Sequence, residues 1–160
     1  MRLNIWIIAL LVISLTGCSA TGPVFKEEAA VQVDKALIYV YRPSALFNAG
    51  GYPNLYVNGR DLGPLYNGGY IPVVTAPGKT NLVLKGEFST WGMQKPIGIA
   101  LDAIAGKKHF VRFGNEITSF FAVPGAGFYG SRIVIQEAPE EFAKGEIANT
   151  NLSVDSAQKK

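Results

Sequence analysis

One cysteine and one histidine are all that these 160 residues offer in thiol or imidazole chemistry. Disulfides need cysteines in pairs, so Cys18 alone excludes a framework of them within the chain. A zinc site would have to be built mainly from carboxylates, and no metal or other cofactor is expected. Charge is sparse at 17% of residues and nearly balanced at a formal +3. No basic stripe or nucleic-acid-binding motif accompanies it, so nucleic acid is not an expected partner. Long apolar runs are also missing after the first eighteen residues. The most apolar later stretch, Ile97 to Ala105, is short and contains Asp102, whereas a membrane-spanning helix needs roughly 20 apolar residues.

What the chain does have is glycine (18), proline (9), phenylalanine (9) and tyrosine (7) within a 48% hydrophobic composition. Glycine and proline interrupt helices while aromatics suit pleated surfaces, which favours one all-β domain. The first eighteen residues stand apart. Arg2 precedes an apolar run through Trp6, Ile7, Ile8, Leu10, Leu11, Val12 and Ile13, the layout of a secretory signal peptide, too short to span a bilayer. Leu15, Thr16, Gly17 and Cys18 close it as L-T-G-C, the pattern of a bacterial lipobox. Small residues there fit the processing peptidase, and the thiol of Cys18 receives the lipid. Several acyl chains, palmitate among them, suffice for stable anchoring because each buried methylene contributes about 0.8 kcal/mol.

Four segments are expected: a lipoprotein signal peptide over 1–17, a lipidated N-terminus and tether over 18–34, a β-rich domain over 35–148, and a polar tail over 149–160. Within the domain, Leu37 to Tyr41 is an unbroken β-favouring run stopped by Pro43, and its continuity implies burial on both faces. Asn58-Gly59 between Leu55–Val57 and Arg60–Leu62 signals a hairpin with a type I′ turn. A strand follows from Tyr70 to Thr75, with Pro72 marking an edge or bulge. Ala76-Pro77-Gly78-Lys79 before Thr80, and Ala105-Gly106-Lys107 before Lys108 and His109, suggest two hairpins of one design. Ser131 to Glu137 supplies a further strand, and Pro139 opens a short amphipathic helix ending near Ile147. The expected fold is all-β and mainly antiparallel, a small β-sandwich or partly open barrel with one short C-terminal helix.

Y-V-Y-R-P at Tyr39–Pro43, V-N-G at Val57–Gly59, N-G-G-Y at Asn67–Tyr70 and P-G-K at Pro77–Lys79 occur in order. With the leading lipobox, the combination resembles an uncharacterised bacterial lipoprotein domain family, over about Lys35 to Ile147. The V-N-G hairpin followed by P-G-K is also similar to the PEGA-type surface domains of exported proteins, without their tandem repeats. The resemblance brings no activity with it.

Candidate chemistry is thin. Gly125 to Gly130 spells G-x-G-x-x-G, yet strand-like Arg132 to Ile135 follows where dinucleotide binding requires a helix, so no nucleotide is expected. His109 shares strand parity with Val111 and Phe113, which places it at the margin of a packed face. No G-x-S-x-G elbow accompanies it, and nothing selects a pair among the twelve acids. Lys107, Lys108 and Arg112 form a local basic group suited to a solvated turn or to an anionic surface. Phe120, Phe121, Phe128 and Tyr129 surround Pro124, Gly125 and Gly127, which reads foremost as two core strands joined by a turn and alternatively as a Gly-rich loop over 118–132 that displays aromatics to a partner.

The expectation is a lipid-anchored bacterial cell-envelope protein and not an enzyme, working as a structural or protein-interaction module. An alternative is a glycan- or peptide-binding module using loop 118–132; an envelope hydrolase is a lesser one. Ser19 behind Cys18, where Asp would signal inner-membrane retention, favours export to the outer membrane if the source is Gram-negative.

Overall fold

The computed structural model describes residues 19–46, 51–86, 95–123 and 126–153, with only the backbone course at 117, 118, 120–123, 126–129 and 131. The leader with Leu15, Thr16, Gly17 and Cys18 lies outside the described residues, as does the tail beyond Ser153.

The expected all-β sandwich is the observed architecture. One sheet has the order β8-β7-β1-β4-β9, built from β1 (Ala36–Arg42), β4 (Gly69–Thr75), β7 (Lys108–Val123), β8 (Ala126–Glu137) and β9 (Asn151–Leu152). The other has the order β3-β2-β5-β6, built from β2 (Pro53–Val57), β3 (Arg60–Pro64), β5 (Gly78–Gly86) and β6 (Ile97–Ala103). Pairing is antiparallel except where β1 meets β7 and β4 meets β9. Among the described residues one helix, α1 (Glu140–Ile147), follows β8.

Every residue of β1 is buried, and alternation divides the strand between two cores. Ala36, Ile38 and Val40 join Leu55, Leu82, Leu84, Val111 and Phe113 between the sheets. Leu37, Tyr39 and Tyr41 join Tyr70, Phe110, Ala143 and Ile147 on the opposite face, which α1 covers. The unbroken apolar run is therefore the mark of a strand with a layer on each side. Pro72 sits where β4 is bonded to β1 alone, because β9 reaches only Gly69 and Tyr70, so its missing donor leaves no gap in the ladder.

The β2–β3 hairpin has the predicted turn, with Asn58 at φ 49° and Gly59 at φ 86°. The two Gly-Lys turns differ from expectation. β4 and β5 belong to different sheets, as do β6 and β7, so each turn carries the chain across the sandwich instead of folding a strand back on its neighbour. Gly78 and Gly106 both take positive φ, which serves a corner as well as a hairpin, and local sequence cannot separate the two.

Three further expectations are corrected. The stretch 19–34 is docked, not a free tether: Ala20 N–H donates to the Asn67 carbonyl at 3.0 Å, and Phe25 N–H to that of Thr150 at 2.8 Å. Phe25 stands edge-on to Tyr39 and Tyr70, both at 5.1 Å between ring centroids. The polar tail of 149–160 begins inside the domain, since Asn151 and Leu152 form β9, and Leu152 N–H donates to the Pro23 carbonyl at 2.8 Å. These two end segments support each other across the whole length of the chain, so neither shows a local period. Finally, the alternative of a displayed loop over 118–132 gives way to the paired strands: β7 and β8 pair along it, with Phe120 opposite Tyr129 and Phe121 opposite Phe128. Its residues favour strands, and Gly127 and Gly130 are accommodated within β8.

Two substitutions test this description by thermal melting. No atom lies within 4 Å of a Cβ added at Gly59, so Gly59→Val isolates the backbone cost of positive φ, about 1–3 kcal/mol of destabilisation. Phe25→Ala should lower stability by about 1–3 kcal/mol, because it removes a ring from the outer core; a free tether would leave the melting temperature unchanged.

Candidate functional site

Lys108 and Arg112 of β7 lie on the outer face of the β1-centred sheet, which α1 and the 19–34 strip cover, whereas His109 shares the inter-sheet side with Ile38 and Val111. His109, the second residue of β7, is buried at 8% exposure. Its Nε2 accepts the N–H of Ile104 at 3.1 Å, so the ring proton resides on Nδ1 and is donated to Glu137 Oε1 at 2.7 Å. Ile104 belongs to the turn between β6 and β7. The imidazole thus fastens the sheet-crossing turn to the end of β8, and its lone pair is occupied. A general base needs that lone pair free.

A shallow cleft of about 370 Å³ opens beside it, lined by Lys108, His109, Phe110, Glu137, Ala138, Pro139 and Glu140. Its charges are engaged in pairs. Lys108 Nζ meets Glu27 Oε1 at 2.6 Å, and Lys144 Nζ meets Glu140 Oε1 at 2.6 Å and Glu27 Oε2 at 3.3 Å. The hydrogen bond from Lys108 holds the Glu27 carboxyl below its ordinary pKa, and Glu140 foremost, with Glu27, raises that of Lys144. Glu27 from the N-terminal strip therefore joins the start of β7 to α1.

Further along, Arg112 grips Glu146 with two hydrogen bonds, Nε to Oε2 at 2.7 Å and Nη2 to Oε1 at 3.1 Å. Tyr41 adds its hydroxyl to Oε2 at 3.0 Å, and burial together with this contact pushes its pKa up. A forked arginine–carboxylate pair adds direction as well as energy, and here it aligns the last turn of α1 on the sheet. Sequence reasoning noted Arg112 only in a local basic group and missed Glu146 and Tyr41. The usable signal was the position of Glu146 beside buried Ile147 on a short helix. Of the basic group, Lys108 and Arg112 are bound in ion pairs and Lys107 lies in the crossing turn.

The remaining sequence candidates fall elsewhere. Phe120, Phe121, Phe128 and Tyr129 come together by register on the β7–β8 hairpin, away from His109. The residues from Ala126 to Gly130 of the G-x-G-x-x-G run are strand, and β8 continues to Glu137, so no helix N-terminus follows. Among the described residues, no group of three His, Cys, Asp or Glu could hold a metal ion. None of the described helices is long and apolar enough to cross a membrane.

A family described as a protein of unknown function, DUF2846, matches residues 32–126. The chain belongs to this family. The DUF2846 match takes in β1 to β7, and with them both sheets and both crossing turns, and stops at the first residue of β8. The docked strip, α1 and β9 lie beyond it, so the partners Glu27, Glu137, Glu140, Lys144 and Glu146 are outside the matched segment while His109, Lys108 and Arg112 are within it. No curated protein and no solved structure matches the chain.

The Glu27 contacts give a pH prediction. Its pKa is lower in the folded protein than the ordinary 4.5, so its contribution to stability is present above that value and is lost as pH falls through the native pKa. Urea midpoints of the wild type and Glu27→Gln should therefore differ at neutral pH and converge as the solution is taken well below pH 4.5.

Proposed function

We propose that this DUF2846 protein is a lipoprotein of the bacterial cell envelope, acylated at Cys18 and held at the membrane while its β-sandwich serves as a structural or protein-interaction module. The observation that carries the reading is L-T-G-C at 15–18, directly behind an apolar leader and ending on the chain's one cysteine. The position of the domain suits it, because the chain is bonded to the sandwich from Ala20 onward. Ser19 in place of Asp favours the outer membrane in a Gram-negative source. An interaction role is favoured over catalysis by the state of the polar groups: the lone pair of His109 is used by Ile104, and Glu27, Glu137, Glu140 and Glu146 are each held in an ion pair, of which those of Glu27 and Glu146 fasten the outer layer to the sheet.

Cys18→Ser tests the anchor. Incorporation of labelled palmitate and cleavage of the leader should both be lost, and the wild-type mature chain should begin at Cys18. Labelling that persists in the variant, or a mature terminus elsewhere, overturns the reading. In-cell cross-linking of the acylated protein followed by capture tests the module, and a specific envelope protein recovered with it is the expected result.

A further inference from the structure

The strand register puts two features at one end of the sandwich. β1 and β7 run parallel, with Tyr41 beside Arg112, whereas β4 runs the other way, with Arg42 beside Gly69. The end where β1 stops is therefore the end where β4 starts and beyond which β7 continues. Asn67, two residues before Gly69, bridges Ser19 and accepts the Ala20 N–H. By register it is level with Asn115 of β7, two strand spacings or about 10 Å to the side. Cys18 is one peptide from Ser19, within about 3.8 Å between Cα atoms. A lipid on Cys18 would thus leave from this end with no slack.

Just past the same level the β7–β8 hairpin carries an ion pair, Glu116 with Arg132 at 2.7 Å, their side chains 46% and 67% exposed. From Ile117 to Ser131 not one residue is charged, and Phe120, Phe121, Phe128 and Tyr129 fall in that interval. Register pairs 120 with 129 and 121 with 128, and consecutive pairs lie on opposite faces of the ribbon. Aromatic positions therefore occupy both faces. A protein groove would cover one of them, whereas a lipid surface surrounds both. Leu46, 95% exposed, follows β1 at this end, and Tyr52 and Tyr66 pair there with ring centroids 4.7 Å apart.

We propose that this end of the domain faces the membrane and that strand segments 117–123 and 126–131 enter the interfacial layer of the leaflet that holds the Cys18 lipid. The inference rests on the lipoprotein reading above and adds an orientation and a second membrane contact. Seven extended residues reach about 23 Å at most, and a spanning strand needs about 9–11 residues, so the hairpin does not cross. A two-stranded ribbon also keeps unpaired N–H and C=O groups along both edges, which hydrocarbon does not tolerate. The headgroup boundary, where aromatic residues concentrate, satisfies both conditions.

The test uses the full mature protein in vesicles of phosphatidylethanolamine with phosphatidylglycerol. An environment-sensitive fluorophore is attached through Ala126→Cys, through Ser119→Cys as a second hairpin site, and through Lys79→Cys at the opposite end of the sandwich. Intact mass establishes that Cys18 is acylated, which leaves the introduced thiol as the only free one. Headgroup-level nitroxide lipids should quench the 126 label severalfold more than aqueous iodide does, the 119 label should behave similarly but less strongly, and the 79 label should respond to iodide alone. With acylation established, iodide quenching of both hairpin labels overturns the insertion and leaves the lipoprotein reading standing. Shielding from both quenchers also overturns it, by revealing a protein contact, and strongest quenching by chain-end nitroxides overturns the interfacial depth. Mass without an acyl group on Cys18 overturns the lipoprotein reading and this orientation together.

Discussion

Burial of β1 on both faces is the constraint on which the remaining architecture depends. A strand reading A-L-I-Y-V-Y-R has no side to give to water, so one layer must cover Ala36, Ile38 and Val40 and another must cover Leu37, Tyr39 and Tyr41. The β3-β2-β5-β6 sheet supplies the first. The second is assembled from pieces too short to be stable alone, namely α1, β9 and the 19–34 strip. Their polar groups follow from that task. Glu27 and Glu146 join the 19–34 strip and α1 to β7 through Lys108 and Arg112, while Glu137 holds the end of β8 to His109 within the sheet. Lys108 and Arg112 share the outward parity of Phe110 near the start of β7, which makes that strand the attachment line for the outer layer.

Much of the fold was legible because its signals are local. The Leu37–Tyr41 run, the Asn58-Gly59 turn, Pro72 beside an open ladder position and Pro139 ahead of α1 each follow from the geometry of one or two residues. The errors have a common physical origin. A Gly-Lys corner at positive φ has the same sequence whether the next strand joins the same sheet or the opposite one, and only the distribution of apolar surface over the whole molecule decides. Gly127 and Gly130 suggested the loop alternative, although the flanking aromatics and β-branched residues already favoured pairing.

The site was less legible than the fold. Strand parity placed His109 correctly at the edge of a packed face, yet its bonds to Ile104 and Glu137 depend on a crossing turn that was read as a hairpin. Glu27 fell within the stretch read as a tether because its partners lie at the far side of the sequence, on β7 and α1. Glu146 was one acid among twelve until the helix was seen to lie over Arg112 and Tyr41.

The docking of the first described residues against the last ones also makes the two strips mutually dependent. Gly22, Pro23 and Phe25 exchange backbone hydrogen bonds with Thr150 and Leu152, so displacing either strip leaves backbone groups of the other without partners. Phe25 and Leu152 both pack on the outer core, so the same displacement uncovers Tyr39 and Tyr70. The two ends of the described chain thus act as a single clasp over the outer face of the sheet.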